Sequence, residues 1–304
     1  MTEAGERPPI PDGVLGAARP VVGVVCDITT LGGMSGSRVV RIAGPVESLV
    51  AKGGVSGRER AVYERLSAAL AKQGVRIPRW YGTVNGGGDA WLLLEDVPKP
   101  LPRERWLAHA GVMATLRRLH TLPVGELDVL PDWFRPVWTG AMDRAALGWL
   151  GDDSRLAGTL HSFRRAAAGL FEPLAVISGD PNPLNWGLSV DGELVLMDWE
   201  RVGLGHPALD VAITLPGLPS LVEFEAAAHA YRWNDGPGIS VQQLVLAKLW
   251  TCVELLATTP RPIAGRPDDL PEQRKREAAR WLAAALPGWL GEVADWVGVH
   301  ETSR

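Results

Sequence analysis

The stretch from Ala175 to Ala212, AVISGDPNPLNWGLSVDGELVLMDWERVGLGHPALDVA, limits the fold more than any other part of the chain. It sets four polar residues, Asp180, Asn185, Asp198 and Asp210, in an apolar surround. Leu174 to Ile177 reads as a short buried strand. Gly179, Pro181, Asn182 and Pro183 then force a loop. Beyond Asn185 a hairpin is predicted: Gly187 to Val190, a turn at Asp191-Gly192, then Leu194 to Met197, with Asp198 at its end. Carboxylate, amide and carboxylate form one oxygen-rich cluster, a donor set that suits Mg2+ shared with substrate phosphates. The chemistry divides the work. Asn185 and Asp198 hold metal, and Asp180 is left to accept a proton from an attacking hydroxyl. Asp210, just inside a helix opened by Pro207, is expected to accept backbone N–H groups of the loop or to face the positive end of its own helix.

These residues carry a resemblance. SGDPNPLN, VLMDWE and GHPALDVA together resemble the aminoglycoside phosphotransferase and choline kinase family, a branch of the protein-kinase-like fold. Asp180, Pro183 and Asn185 match its catalytic loop, with Ser178 where the family has His and Leu184 where it often has Gly. Asp198-Trp199-Glu200 matches its metal motif, and Gly205 to Asp210 its helix opening, with His206 at the first Asp position. The resemblance implies an α+β, two-lobed protein-kinase-like fold, in which a small antiparallel sheet lobe sits on a larger, mainly helical lobe. It covers residues 21–258 and is absent from the final helices.

Ahead of that stretch the chain has the makings of a small lobe. Residues 1–20 carry prolines and little periodicity, and read as a loose tail or short edge. From Val21 the pattern turns to strand, VVGVVCDITTL, followed by a bend at Gly32 to Ser37, then Val39 to Ile42, and a third strand ending in Lys52. The bend is neither a Walker loop nor GxGxxG, and alone it reads as a hairpin turn. Its spacing ahead of Lys52 marks it as a nest of N–H groups for phosphate. The family's equivalent loop often holds a Met-Ser pair, which assigns Met34, Ser35 and Gly36 to the nucleotide. Lys52 is one of few lysines in a chain rich in arginine, and its functional reading is contact with the α- and β-phosphates while a carboxylate holds it.

Gly57 to Gln73, GRERAVYERLSAALAKQ, is an amphipathic helix offering Glu59 and Glu64 as that carboxylate. The resemblance favours Glu59 and leaves Glu64 solvated. Two more strands, 80–84 and 90–94, flank a glycine turn. The resemblance then places adenine on the Glu95 carbonyl and the Val97 N–H, since Pro98 has no N–H to give. The domain reading is a tail over 1–20, a nucleotide-binding lobe over 21–96, a hinge over 97–102, and a catalytic and substrate-binding lobe over 103–304.

Everything after Arg103 outside the hairpin reads as helical, with segments near 103–121, 138–150, 153–171, 206–215, 220–233, 240–258 and 270–298. His120, on the apolar face of the first, is expected to pack rather than ligate. HExxH, paired CxxC and GxSxG are all missing, so zinc hydrolase and serine esterase chemistry have no support. A glycosidase pair of Asp180 and Asp198 leaves Lys52 and the glycine bend unexplained. A net charge of −4 argues against a nucleic acid polymer as partner. No apolar run reaches the length of a membrane span. Two unpatterned cysteines and an N-terminus without an apolar core place the protein in the cytoplasm.

The expectation is an Mg2+-dependent enzyme moving the γ-phosphate of ATP or GTP to a hydroxyl of a small molecule, an aminoglycoside-like antibiotic or a metabolite. The alternatives are a Ser/Thr kinase acting on a peptide and a nucleotide-binding protein without catalysis. Only eight residues separate Asp198 from Pro207, too few for a phosphorylatable activation loop. The acceptor and the oligomeric state are not written in the sequence. Thirteen tryptophans suggest either an aromatic cage or ordinary packing, and Glu126, Asp128, Asp132, Asp152, Asp153 and Glu254 are candidates to bind amines.

Overall fold

The computed structural model describes residues 10–31, 37–151, 153–232, 238–261 and 270–297. Five antiparallel strands make the small lobe: β1 (Asp27–Leu31), β2 (Arg38–Ala43), β3 (Ser48–Gly53), β4 (Trp80–Gly86) and β5 (Asp89–Glu95), in the order β1-β2-β3-β5-β4. Register puts Lys52 of β3 between Val39 of β2 and Leu92 of β5. The predicted helix forms as α2 (Gly57–Ala61), a π-helical turn (Val62–Leu66) and α3 (Ser67–Lys72). It covers one face of the sheet, with Leu66 and Leu70 buried in the same cluster as Leu92 and Leu94.

The other face corrects the expected tail. Residues Asp12–Val22 form a helix, α1, whose Val14, Ala18 and Val22 are buried with Val40, Ile42, Leu49, Ala51, Trp91 and Leu93. The strand expected from Val21 starts only at Asp27, because α1 runs to Val22 and Gly23 (φ 74°) ends it. The physical reason lies in β5. Trp91 and Leu93 face α1 while Leu92 and Leu94 face the other helix, so a strand apolar on both faces needs a cover on each.

The predicted hinge is docked rather than free. Its β6 (Lys99–Pro100) pairs with β8 (Trp186–Leu188), which pairs with β9 (Leu194–Leu196) to give the expected hairpin. β7 (Ala175–Ile177) pairs with β10 (Gly203–Gly205) and brackets the loop that holds Asp180. The helices of the large lobe are α4 (Ala110–His120), α5 (Gly140–Leu150), α6 (Ser154–Ala166), α7 (Pro207–Thr214), α8 (Leu221–Tyr231), α9 (Val241–Thr258) and α10 (Leu270–Val297). α9 is buried on most of its circumference and packs against α5, α7, α8 and α10. Among the described residues no helix is long and apolar enough to cross a membrane. Cys26 is exposed in the small lobe and Cys252 buried in α9, both unbridged.

Candidate active site

Lys52 reaches across the cleft between the lobes. Its Nζ lies 2.7 Å from Glu59 Oε1 in α2 and 2.9 Å from Asp198 Oδ1 in the large lobe. Ser56 starts α2 as its N-cap, its side chain accepting from the Glu59 N–H at 3.0 Å. Glu64, the other candidate, accepts instead from Thr83 Oγ1 at 2.8 Å and is only part-exposed. Burial pulls the Lys52 ammonium down, but Glu59 and Asp198 outweigh it and leave it above its ordinary value. Burial pushes the Glu59 carboxyl up to about 7 against the pull of Lys52, with Asp198 and Glu200 adding to the rise. The two shifts favour different states of one pair. A buried ammonium gripped by two carboxylates at contact distance favours the ionised pair. Glu59 Oε2 has no partner in this buried setting.

Asp198 follows β9 with φ at 60°, a left-handed conformation that aspartate tolerates better than most residues. The Trp199 indole N–H donates to the Leu196 carbonyl at 3.0 Å and pins this turn. Oxygens of Glu59, Asp198 and Glu200 lie within 4.8 Å of one another, so a dense negative charge gathers beside Lys52. Glu200 is itself pushed up, by burial first and then by Asp198.

The loop before the hairpin is held from several sides. Gly179 has φ 78°, and a Cβ there would sit 2.1 Å from the Arg201 carbonyl oxygen, so no side chain fits. Asp210 accepts the Ser178 N–H at 2.7 Å and the Gly179 N–H at 2.9 Å, the first of its two expected roles. The Trp186 indole N–H donates to the Pro181 carbonyl at 3.0 Å. Asp180 takes hydrogen bonds from Asn182 Nδ2 at 2.9 Å and, more weakly, from Asn185 Nδ2 at 3.3 Å. Burial raises its carboxyl to about 6, partly offset by the Asn182 bond and by Arg201.

Both neighbours of the Asn185 amide nitrogen are acceptors, Asp180 O at 2.8 Å and Asp180 Oδ2, which fixes the nitrogen there and leaves Oδ1 turned away. The Asn185 carbonyl accepts the Met197 N–H at 2.8 Å, tying Asn185 to the residue before Asp198. The Asn185 and Asp198 side chains are thus hard oxygen donors on adjoining backbone, a set that fits Mg2+. Glu95 commits its carboxylate to Arg76 and to the Arg79 N–H, which leaves its backbone carbonyl as the group to consider for a nucleotide base. Val97 backs onto β8, where a Cβ on Gly187 would meet Val97 Cγ1 at 2.5 Å. Met34, Ser35 and Gly36 lie outside the described residues.

A sequence model of the phosphotransferase enzyme family matches residues 29–240. The chain belongs to that family. No curated protein sequence matches it. Solved structures share the fold: a spectinomycin phosphotransferase in complex with ADP and spectinomycin is 11% identical at TM-score 0.67, covering 96% of this chain and 99% of that one. A choline kinase from Streptococcus pneumoniae is 15% identical at TM-score 0.60, with 90% and 99% covered. An aminoglycoside-3'-phosphotransferase of type VIII is 26% identical at TM-score 0.51, with 78% and 97% covered. The chain is a phosphotransferase with the two-lobed, protein-kinase-like fold.

Several features of this phosphotransferase were invisible in its sequence. Ser178, standing where the family's His is expected, is fully buried with its hydroxyl unpartnered. An imidazole nevertheless braces the loop from another element. His120 Nε2 lies 3.1 Å from Asp210 Oδ2, and its Nδ1 2.7 Å from the Tyr231 hydroxyl. A carboxylate only accepts, so the Nε2 must carry the proton. His120 is buried, as expected, yet does more than pack. The acidic candidates for amine binding are largely committed: Glu254 to Arg201, Asp132 to Arg58, and Asp153 to capping α6. Glu126 and Asp128 lie in an exposed 3-10 turn, and Asp152 lies outside the described residues. Of the large-lobe tryptophans, Trp138, Trp149, Trp250 and Trp289 bond within the fold. Trp133 sits beside Arg135, Trp296 packs on Phe224, Trp281 is exposed, and Trp233 is not described.

Proposed function

We propose that this phosphotransferase moves the γ-phosphate of ATP or GTP to a hydroxyl of a small molecule, with Mg2+ as cofactor. The observation that carries the proposal is the pair of contacts at Lys52 Nζ, 2.7 Å to Glu59 and 2.9 Å to Asp198, made by residues far apart in the chain. Phosphoryl transfer asks for positioning and charge neutralisation more than covalent chemistry. Lys52, kept protonated and fixed by Glu59, is the group that grips the phosphates. Asn185 Oδ1 and the Asp198 carboxylate are the residues to hold Mg2+, which when bound would neutralise charge on the phosphate oxygens. At the hinge the Glu95 carbonyl and the Val97 N–H are assigned to the base of the nucleotide. Met34, Ser35 and Gly36 are assigned to its phosphates.

Asp180 receives the proton of the acceptor hydroxyl as its oxygen bonds to phosphorus and the nucleoside diphosphate leaves. Asn182 and Asn185 hold the carboxylate in place for this. The domain boundaries follow the same division: a nucleotide-binding lobe to residue 96, a hinge over 97–102, and acceptor binding beyond it, with α1 joining the first lobe. The test is nucleotide turnover by purified protein against a panel of hydroxylated antibiotics and metabolites. Turnover is expected to require Mg2+, to vanish in Asp198→Ala, and to fall by about 10²–10⁴ in Asp180→Ala. Wild-type turnover in both variants overturns the assignment.

A further inference from the structure

Glu59 reaches Lys52 only while the first turn of α2 keeps its place; Ala61, Val62 and Tyr63 just beyond it are buried in the core. The π-helical turn at Val62–Leu66 interrupts the α-helical register between Glu59 and the packed residue Leu70. A π turn rotates the helix on its N-terminal side relative to the helix on its C-terminal side, so the core face of α3 does not by itself aim Glu59. Ser56 caps the turn. Further along, Arg65 Nη1 donates to the Val129 carbonyl at 3.2 Å, and nearest Glu59 the polar contacts to the other lobe come from its neighbour. Arg58 places its Nε 2.9 Å from Asp132 Oδ1 and its Nη1 2.9 Å from the Glu200 carbonyl oxygen. One guanidinium thereby joins α2 to the segment that follows α4 and to the segment that carries Asp198.

The setting makes those contacts matter. An open pocket of about 410 Å3 at this edge has walls from both lobes, Ser56 and Gly57 on one side and Pro131, Asp132, Glu200 and Arg201 on the other, around Arg58. Arg58 spans it, bonded on the far side to Asp132 and to the Glu200 carbonyl. Its two contacts differ in kind. Asp132 is 65% exposed, so water and salt screen that half. The bond to the Glu200 carbonyl is part-buried, and it engages backbone two residues beyond Asp198.

We propose that Arg58 is a positioning residue for phosphoryl transfer, a clasp between the lobes that keeps Glu59 on Lys52 and Lys52 on Asp198. The inference rests on the role given to Lys52 and Asp198 above. Arg58 is not among the residues assigned to nucleotide or acceptor, and acts through Glu59 and the Asp198 segment. It also accounts for a site that is assembled although only eight residues lie between Asp198 and Pro207, too few for a regulatory loop.

The test begins without substrate. The full chain is treated with an amine-acylating reagent, and the rate at each lysine is read by mass spectrometry. Lys52 is 7% exposed and doubly paired, so it is expected to react slowly, while exposed Lys72 at the end of α3 serves as the internal standard. In Arg58→Ala the Lys52 rate relative to Lys72 is expected to rise by about fivefold or more. Arg58→Lys keeps the charge but cannot reach both partners, and is expected to fall between the two. A folded Arg58→Ala with wild-type labelling of Lys52 overturns the proposal. If Arg58→Ala does not fold, Arg58→Lys decides by the same criterion.

Kinetics add a second readout. With an acceptor in hand, kcat is expected to fall about tenfold in Arg58→Ala with KM for the acceptor unchanged. In a Glu59→Gln background the same change is expected to cost less than about twofold further, because the clasp acts through Glu59. Losses that multiply in full between the two sites overturn the proposal. The labelling result needs no acceptor. It can therefore stand or fall separately from the phosphotransfer reading.

Discussion

Asp180 carries the plainest consequence of burial on a single group. Its carboxyl, pushed up to about 6, must be ionised to take a proton, so kcat/KM is expected to be flat above that value. Below it the rate constant should fall about tenfold per pH unit. A profile that stays flat down to pH 5, with the fold intact, rules Asp180 out as the base. The same shift has a sign for stability. The folded pKa lies above the unfolded one, so between about pH 4 and about pH 6 the folded chain keeps a proton that the unfolded chain has lost. Stability drains away as pH rises through that window, and the full cost stands above it. Asp180→Asn removes the cost but turns one amide N–H toward a donor, leaving a net gain on the order of 1 kcal/mol. Melting curves should show that gain at pH 7.5 and lose it at pH 4. Among single residues the sequence was informative where chemistry is local: Asp180, Asn185 and Asp198 stood out by their setting. Arg58 stood beside Glu59 in the run that resembles the family, and His120 on an apolar helix face, but the partners of both lie in distant segments.

Elements were legible where their period was clean. All but the first of the large-lobe helices fall within a few residues of expectation, because their apolar spacing and their Gly and Pro boundaries are written within one segment; the first, expected from Arg103, begins only at Ala110 after a 3-10 turn at Arg103–Arg105. The hairpin over 186–196 was equally plain from Asp191-Gly192. α1 was missed because its prolines suggested a tail and the run VVGVV suits a strand as well as a helix end. The signal that could have found it was remote, in Trp91 to Leu94, whose two apolar faces demand two covers. That reading makes a prediction at the scale of the helix. Val14 is fully buried against the sheet, so Val14→Asp places a carboxylate where no partner waits. It is expected to cost about 3 kcal/mol or more in urea unfolding, and an exposed helix turn would cost far less. An unchanged midpoint would show that α1 does not cover the sheet in solution.

At the scale of the whole molecule the two lobes meet through a charge contact, Lys52 to Asp198, where nucleotide and metal are proposed to sit. A ligand that bridges the lobes binds only the folded chain. ATP with Mg2+ at a hundred times its dissociation constant should therefore add about 2.7 kcal/mol, seen as a higher Tm. Chelation of the metal, or Asp198→Ala, is expected to remove most of that shift; a shift untouched by both would separate nucleotide binding from the proposed metal site. What the sequence determined by itself was the loop, the hairpin and the helix periods, since each is set by neighbours within a turn or a strand; the two-lobed class was implied by the resemblance those motifs carry. Tertiary structure decided the rest. It set Glu59, which the resemblance had favoured, on Lys52, and gave Glu64, expected to be solvated, a bond from Thr83. It matched arginines to carboxylates across the chain and set Lys52 beside a partner 146 positions away. Such pairings depend on how separately folded segments are stacked, and no local pattern encodes a distance between them.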